Sequence, residues 1–271
     1  MKKERQAEKV KKIAVMTPKG GVGKTITATS LAYILGAEKG KKVLVIDGDA
    51  QGNTSQIFRA YDAEGSGTSE LLEYYQADNF DNKNYLEDLI KPTDSENISI
   101  IAGNGYLMKT DMELLRQTER DDQITRLRDT LKEYDHLYDY CIMDCGRLLD
   151  MTVLNMIIAA DMVIAPVKVG GFEARAIGEL LEQMENIKAA GMNERIKVKV
   201  LLTMKQKNKT TEQVEEWLRE HSGFDVLKTT IRRSIVVEKS TMGMLPLPVF
   251  SKNSIAARDY RELAEEIMEW E

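Results

Sequence analysis

Between residues 18 and 25 the chain runs PKGGVGKT: three glycines, two lysines and a closing threonine. Glycines let a backbone turn so that successive N–H groups face one point, and a helix opening there adds partial positive charge. The result is a cradle for phosphate oxygens. In it Gly20, Gly21, Val22 and Gly23 offer backbone, Lys24 reaches the β- and γ-phosphates of a nucleotide, the Thr25 hydroxyl ligates Mg²⁺, and Ile26 opens the helix. The general pattern G-x-x-x-x-G-K-[ST] is not met, because Pro18 stands at its first glycine and a second lysine, Lys19, precedes Gly20. Carboxylates follow. VLVIDGDAQGN (43–53) ends a strand in Asp47 and Asp49, whose i, i+2 spacing points both to one face, and YDYCIMDC (138–145) brings Asp144 to the end of another. Hydrolysis of a phosphoanhydride needs such groups, to organise a metal's water shell and to position an attacking water.

These residues need strands to end on and a helix to start from, and the hydrophobic pattern supplies both. Short apolar runs at 13–17, 42–46, 98–103, 138–145, 161–167, 196–203 and 225–231 read as strands buried on both faces. Between them helices are expected over 26–39, 69–75, a region running to about 134, near Val153, and over 173–190, 210–220 and 254–270. Regular alternation predicts an α/β fold, a mainly parallel twisted sheet with helices on both faces. Ligands of such sheets bind at the carboxyl ends of the strands, where Asp47, Asp49 and Asp144 lie. No linker rich in Pro, Gly or Ser divides the chain, so residues 13–271 are expected as one domain after a charged arm, 1–12.

Composition narrows the function. The charge is 38 Lys+Arg against 44 Asp+Glu, a net of −6, so binding to nucleic acid or anionic lipid needs a local basic patch. The densest candidate holds Lys205, Lys207, Lys209, Arg232 and Arg233, with solvated surface lysines as the competing reading. No apolar run is long enough for a transmembrane helix, and the opening MKKERQAEKVKK lacks the apolar core of a secretory signal. Two cysteines and two histidines exclude a disulfide scaffold and fit a reducing cytoplasm.

The lysine-first loop resembles the deviant Walker A box, K-G-G-x-G-K-[ST], of the ParA/Soj and MinD partition-type ATPases. DGDAQGN is similar to that family's D-x-D-P-Q-G-N, with Ala50 for proline. YDYCIMDC resembles its Walker B strand, and DMVIAPVKVGGFEARAIGEL, TTIRRSIVVEKSTMGMLPL and SKNSIAARDYRELAEEI resemble later segments, so the likeness spans about 12–268. It implies a P-loop NTPase fold, with ATP and Mg²⁺ as cofactors and conversion of ATP and water to ADP and phosphate. It also implies an ATP-dependent homodimer in which Lys19 crosses to the partner's nucleotide. By the same resemblance Asp144 and Asp47 hold Mg²⁺ through water, Asp49 serves the attacking water and that metal shell, and Lys19, Lys24 and Asp49 are the catalytic set. The expected protein is cytoplasmic and nucleoid-associated. It binds DNA nonspecifically, responds to a ParB-like protein that stimulates slow hydrolysis, and positions a plasmid, chromosome region or mobile element. The alternative is an ATP-switch scaffold of the same fold without a DNA role.

Departures matter too. Gly146-Arg147 replaces the family's Pro-Pro, leaving Arg147 as a cation beside the nucleotide face or as a solvated side chain. Ser234 stands for an asparagine commonly near the base. Cys141 and Cys145 raise the related iron–sulfur ATPases, but Cys141 falls inside a predicted strand and buried thiols are the better reading. The glutamate-rich C-terminal helix argues against a membrane-binding tail.

Overall fold

A computed structural model describes residues 10–73, 82–117, 122–170 and 173–270. Eight strands form one sheet: β1 (Lys11–Val15), β2 (Val43–Gly48), β3 (Ile90–Pro92), β4 (Ile98–Ile101), β5 (Tyr140–Cys145), β6 (Met162–Lys168), β7 (Lys197–Lys205) and β8 (Val226–Arg232). Their order is β3-β4-β2-β5-β1-β6-β7-β8, parallel throughout except for the antiparallel pairing of β3 with β4. Asp47 and Asp144 are register partners, and Val15 pairs with Asp144. The phosphate loop, which leaves β1, thus starts beside the Asp144 end of β5, with the Asp47 end of β2 one strand further on.

The apolar runs are continuous because both faces are covered. Ala14, Met16, Leu44, Ile46, Met143 and Val163 pack in one core with α6 (Arg126–Lys132), α7 (Met151–Ala159) and α8 (Glu173–Ala189). The alternating Ile13, Val15, Val45, Ile142 and Ile164 pack in the other with α1 (Lys24–Tyr33) and α12 (Ile255–Met268). Cys141 and Cys145 are both buried in the first core, and burial pushes the Cys141 thiol up to about 12. They behave as small apolar side chains. Along α12, Ala256, Tyr260, Leu263, Ala264 and Ile267 recur at helical spacing and are buried, so its apolar face is covered by the sheet and α1. Glu266 on that helix accepts from the Lys228 and Thr229 N–H groups at 2.7 and 2.9 Å, covering part of the outermost strand. Among the described residues no helix is long and apolar enough to cross a membrane.

Several local expectations change. The charged arm read over 1–12 ends sooner, because Lys11 and Lys12 belong to β1; residues 1–9 lie outside the described part. Lys12 is buried and bridges Asp135 at 2.6 Å. The helix expected from 26 begins at Lys24 and passes into a π-helical turn, Ile34–Glu38. In the polar stretch after residue 61 the helix expected over 69–75 is found as α3 (Thr68–Glu73), its last two positions lying outside the described residues, and α4 (Asn82–Leu89) and the edge strand β3 are added. The region running to 134 splits into α5 (Leu107–Arg116) and α6. Two short helices, α10 (Ile235–Met242) and α11 (Leu247–Phe250), fill the stretch after β8.

Candidate nucleotide site

The loop from 18 to 23 joins β1 to α1. Gly21 and Gly23 have φ values of 69° and 98°, the left-handed backbone that brings N–H groups inward, and Gly23 is the residue from which α1 starts. Thr203 of β7 donates to the Val22 carbonyl at 2.9 Å, fixing the loop's middle to the sheet. Gly20 and Lys19 lie on the exposed lip, while Lys24 is turned inward and only 8% exposed. Its ammonium donates to the carbonyls of Thr17 and Lys19 at 3.1 and 3.2 Å. Burial lowers its proton affinity, the Asp144 and Asp49 carboxylates raise it, and the Arg147 guanidinium lowers it again. An ammonium spanning its own loop carbonyls, with carboxylates nearby, is poised for an anion.

Opposite it lies a buried carboxylate pair. Asp144 Oδ2 accepts from Thr54 Oγ1 at 2.7 Å, while its Oδ1 is buried with no hydrogen-bond partner among the described residues. Asp47 Oδ2 accepts from Ser55 N and Oγ at 2.8 and 2.7 Å, and Oδ1 accepts from Asp49 N at 3.2 Å. Burial raises the Asp47 carboxyl from 3.8 to about 6, against the opposing hydrogen bonds from Ser55. Asp144 is raised to about 7, first by burial and then by the Asp47 charge, while the Thr54 and Thr25 hydroxyls favour its ionised form. Two acidic groups strained in this way, one with an open oxygen, fit a bound cation. Asp49, half-buried, accepts from Gln51 N at 3.0 Å at the mouth of the site.

On the other side of the loop a cavity of about 330 Å³ is lined by Val22, Ile26, Lys168, Met204, Arg233 and Tyr260, among others. Its size and mixed lining suit a nucleoside. Met204 has φ 54°, an uncommon conformation for a side-chain-bearing residue, and turns the end of β7 into this cavity. The loop therefore separates a base-sized cavity on the β7–β8 side from carboxylates on the β5–β2 side.

A family model described as an AAA domain matches residues 10–198. The chain is 32% identical over 262 residues to the chromosome-partitioning ATPase Soj of Thermus thermophilus, covering 96% of both chains. The chain belongs to the Soj/ParA family. It is also 29% identical over 256 residues to the sporulation initiation inhibitor protein Soj of Bacillus subtilis, covering 94% of this chain and 97% of that one. The same fold is found in the Cyanothece McdA–ATP complex, with a TM-score of 0.80 at 18% identity over 97% and 98% of the chains. The septum site-determining protein MinD of Pyrococcus horikoshii, complexed with Mg-ADP, superposes with a TM-score of 0.72 at 22% identity over 96% of each chain.

Within this Soj/ParA frame the residues singled out from the sequence fall into two groups. Residues 19–26, Asp47, Asp49 and Asp144 converge on the loop. The basic residues cluster beside the base-sized cavity, where Arg233 N donates to the Lys205 carbonyl at 2.9 Å. Two of them are neutralised inside the chain: Lys205 pairs with Glu215, and Arg232 pairs with the buried Asp259, its Nε at 3.0 Å from both carboxylate oxygens. Lys207, Lys209 and Arg233 are exposed without a carboxylate partner among the described residues, as is Lys228 nearby. Sequence reasoning missed Thr54 and Ser55, the hydroxyls that hold the carboxylate pair. Their signal was two adjacent hydroxyl residues directly after DGDAQGN.

Proposed function

We propose that this Soj/ParA partition ATPase runs a cycle of ATP-driven dimerisation, nonspecific DNA binding and partner-stimulated release. The loop amides and Lys24 hold the β- and γ-phosphates, and the base enters the cavity lined by Ile26, Met204 and Tyr260. Thr25 and the water shell organised by Asp47, Asp49 and Asp144 would hold Mg²⁺, which when bound neutralises phosphate oxygens. Asp49, the most exposed of the three aspartates, orients the attacking water. Lys19, on the exposed lip, reaches the nucleotide of a second copy, where a cation stabilises charge developing in the transition state. Lys207, Lys209 and Arg233 take phosphates of duplex DNA, and a ParB-like protein accelerates hydrolysis. These steps place the protein on the nucleoid. The observation that carries the nucleotide reading is the inward Lys24 ammonium facing a buried carboxylate pair with an open Asp144 oxygen.

The internal pairing of Lys205 and Arg232 favours a second reading, an ATP-switch scaffold that recruits a partner complex without DNA. One experiment separates them. Sedimentation with a nonhydrolysable ATP analogue should show dimers, and titration of those dimers with unrelated DNA duplexes at low salt should show binding. Dimers that ignore DNA select the scaffold. Monomers under all nucleotide conditions reject the cycle.

A further inference from the structure

One cation at the loop is not supplied by the family pattern. Arg147 stands three residues beyond Asp144, at the place where Pro-Pro is usual. It is exposed, and among the described residues its guanidinium makes no hydrogen bond or ion pair. Yet it does not simply extend into water. The side chain lies along Gly20, so closely that a Cβ built on residue 20 would come within 3.0 Å of Arg147 Nη1 and 3.3 Å of its Cδ. Glycine at position 20 leaves room for the arginine there, and a larger residue would make its side chain shift. The guanidinium also sits near enough to Lys24 to repel its positive charge. Carboxylates stand near Lys24, but among the described residues none pairs with Arg147, so an anion entering beside the inward-facing backbone N–H groups would give this second cation its partner.

Strand order says which part of that anion Arg147 meets. The base-sized cavity lies toward β7 and β8, while Asp47, Asp144 and Arg147 follow from β2 and β5 on the other side of β1. A nucleotide with its base in that cavity runs its phosphate chain toward the carboxylates, so the terminal phosphate is the part nearest Arg147. The geometry points to Arg147 as an additional γ-phosphate ligand supplied by the same chain, one that makes the site distinguish a nucleoside triphosphate from the diphosphate. Its planar fork suits a phosphate with two free oxygens, whereas a lysine would act only as a point charge. This inference rests on the nucleotide reading of the loop, and its test is arranged so that the two fail differently.

The measurement is equilibrium binding of Mg-ADP and Mg-AMPPNP to wild-type, Arg147→Ala and Arg147→Lys proteins, at concentrations where sedimentation shows only monomer. Wild-type protein is expected to bind both. Arg147→Ala should keep ADP affinity within about twofold and lose about tenfold or more for AMPPNP, the loss expected for one charged hydrogen-bonding partner. Arg147→Lys should fall between. Unchanged affinity for both nucleotides would mean that the guanidinium is merely solvated. Equal losses for ADP and AMPPNP would make Arg147 a prop for the loop. Either result overturns the inference while leaving the nucleotide site standing. A wild-type protein that binds neither nucleotide would overturn both.

Discussion

Asp47 and Asp144 face one another across β2 and β5, and the Thr54 and Ser55 hydroxyls are turned to hold a charge that burial resists. That conflict has a pH signature. Both carboxyls are raised in the folded protein, to about 6 and about 7 from 3.8, so the folded state binds protons more tightly than the unfolded one. Their contribution to stability is fully present below about pH 4, near the unfolded value, and is lost as pH rises through 7. Without Mg²⁺ and nucleotide, thermal unfolding should therefore show a midpoint falling between about pH 4 and pH 7 as these groups ionise. Asp144→Asn should flatten the fall, and Mg-ADP should oppose it. A midpoint that climbs over this range would exclude a raised pair. At the loop, Lys24→Ala removes the one inward ammonium, and isothermal titration should detect no ATP binding; unchanged affinity would reject the loop assignment. Asp49→Ala leaves Lys24, Thr25 and Asp144 in place, so binding should persist while hydrolysis drops roughly 10²-fold or more. A single-turnover assay that found wild-type hydrolysis would move the water-positioning role elsewhere.

Two hydroxyl residues and one glycine show how the elements hold those aspartates. Ser55, in α2 (Asn53–Ile57), donates to Asp47 and accepts from Gly103 N at 2.9 Å, tying the end of β4 to the carboxylate. Thr68, at the start of α3, donates to the Asp47 carbonyl at 2.8 Å. The chain reaches that position only because residue 67 is glycine, since a Cβ there would lie 1.9 Å from the Ala102 carbonyl oxygen. Backbone cannot yield as a flexible side chain does. Gly67→Ala should thus cost about 1–3 kcal/mol or more in urea unfolding and weaken nucleotide binding as Asp47 loses its support. Full stability would show that this approach is looser than described. The strands of the site were legible because β1, β2 and β5 are buried on both faces and so appear as unbroken apolar runs. The strand β3 was not, being three residues long, Ile-Lys-Pro, with no period to detect. Helix α11 has four residues and carries no helical repeat. Thr54 and Ser55 gain their meaning from contacts across the sheet, and the neutralisation of Arg232 depends on Asp259, 27 residues further along. Sequence spacing shows neither.

At the scale of the whole molecule, a chain of net charge −6 must concentrate cations locally if it is to hold DNA. The depression between β7, β8 and α12 contains Lys205, Lys207, Lys228, Arg232 and Arg233, but also Glu212, Glu215, Asp259 and Glu262. Its interior is nearly balanced, because Glu215 and Asp259 claim Lys205 and Arg232. What remains for phosphates is the rim, Lys207 before α9 (Lys209–Glu220), Lys209 at its first residue, Lys228 on β8 and Arg233 after β8. Arg233 also lines the base-sized cavity, so its removal would confound DNA binding with nucleotide binding. The clean variant is Lys207→Ala with Lys209→Ala, which leaves both the cavity and the internal ion pairs untouched. Dimerisation would place two such rims on one duplex, making affinity rise with ATP and fall steeply with salt. In fluorescence anisotropy with the AMPPNP-bound protein, the double variant should bind unrelated duplexes about tenfold or more weakly, equally for each sequence, because phosphate contacts carry no base information. Its log–log salt dependence should be shallower by about two per protomer engaged. Dimer formation and AMPPNP affinity should match wild type. A variant that keeps the wild-type salt slope would remove this rim from the DNA-binding surface, and a loss confined to one sequence would mean that the lysines read bases instead of phosphates.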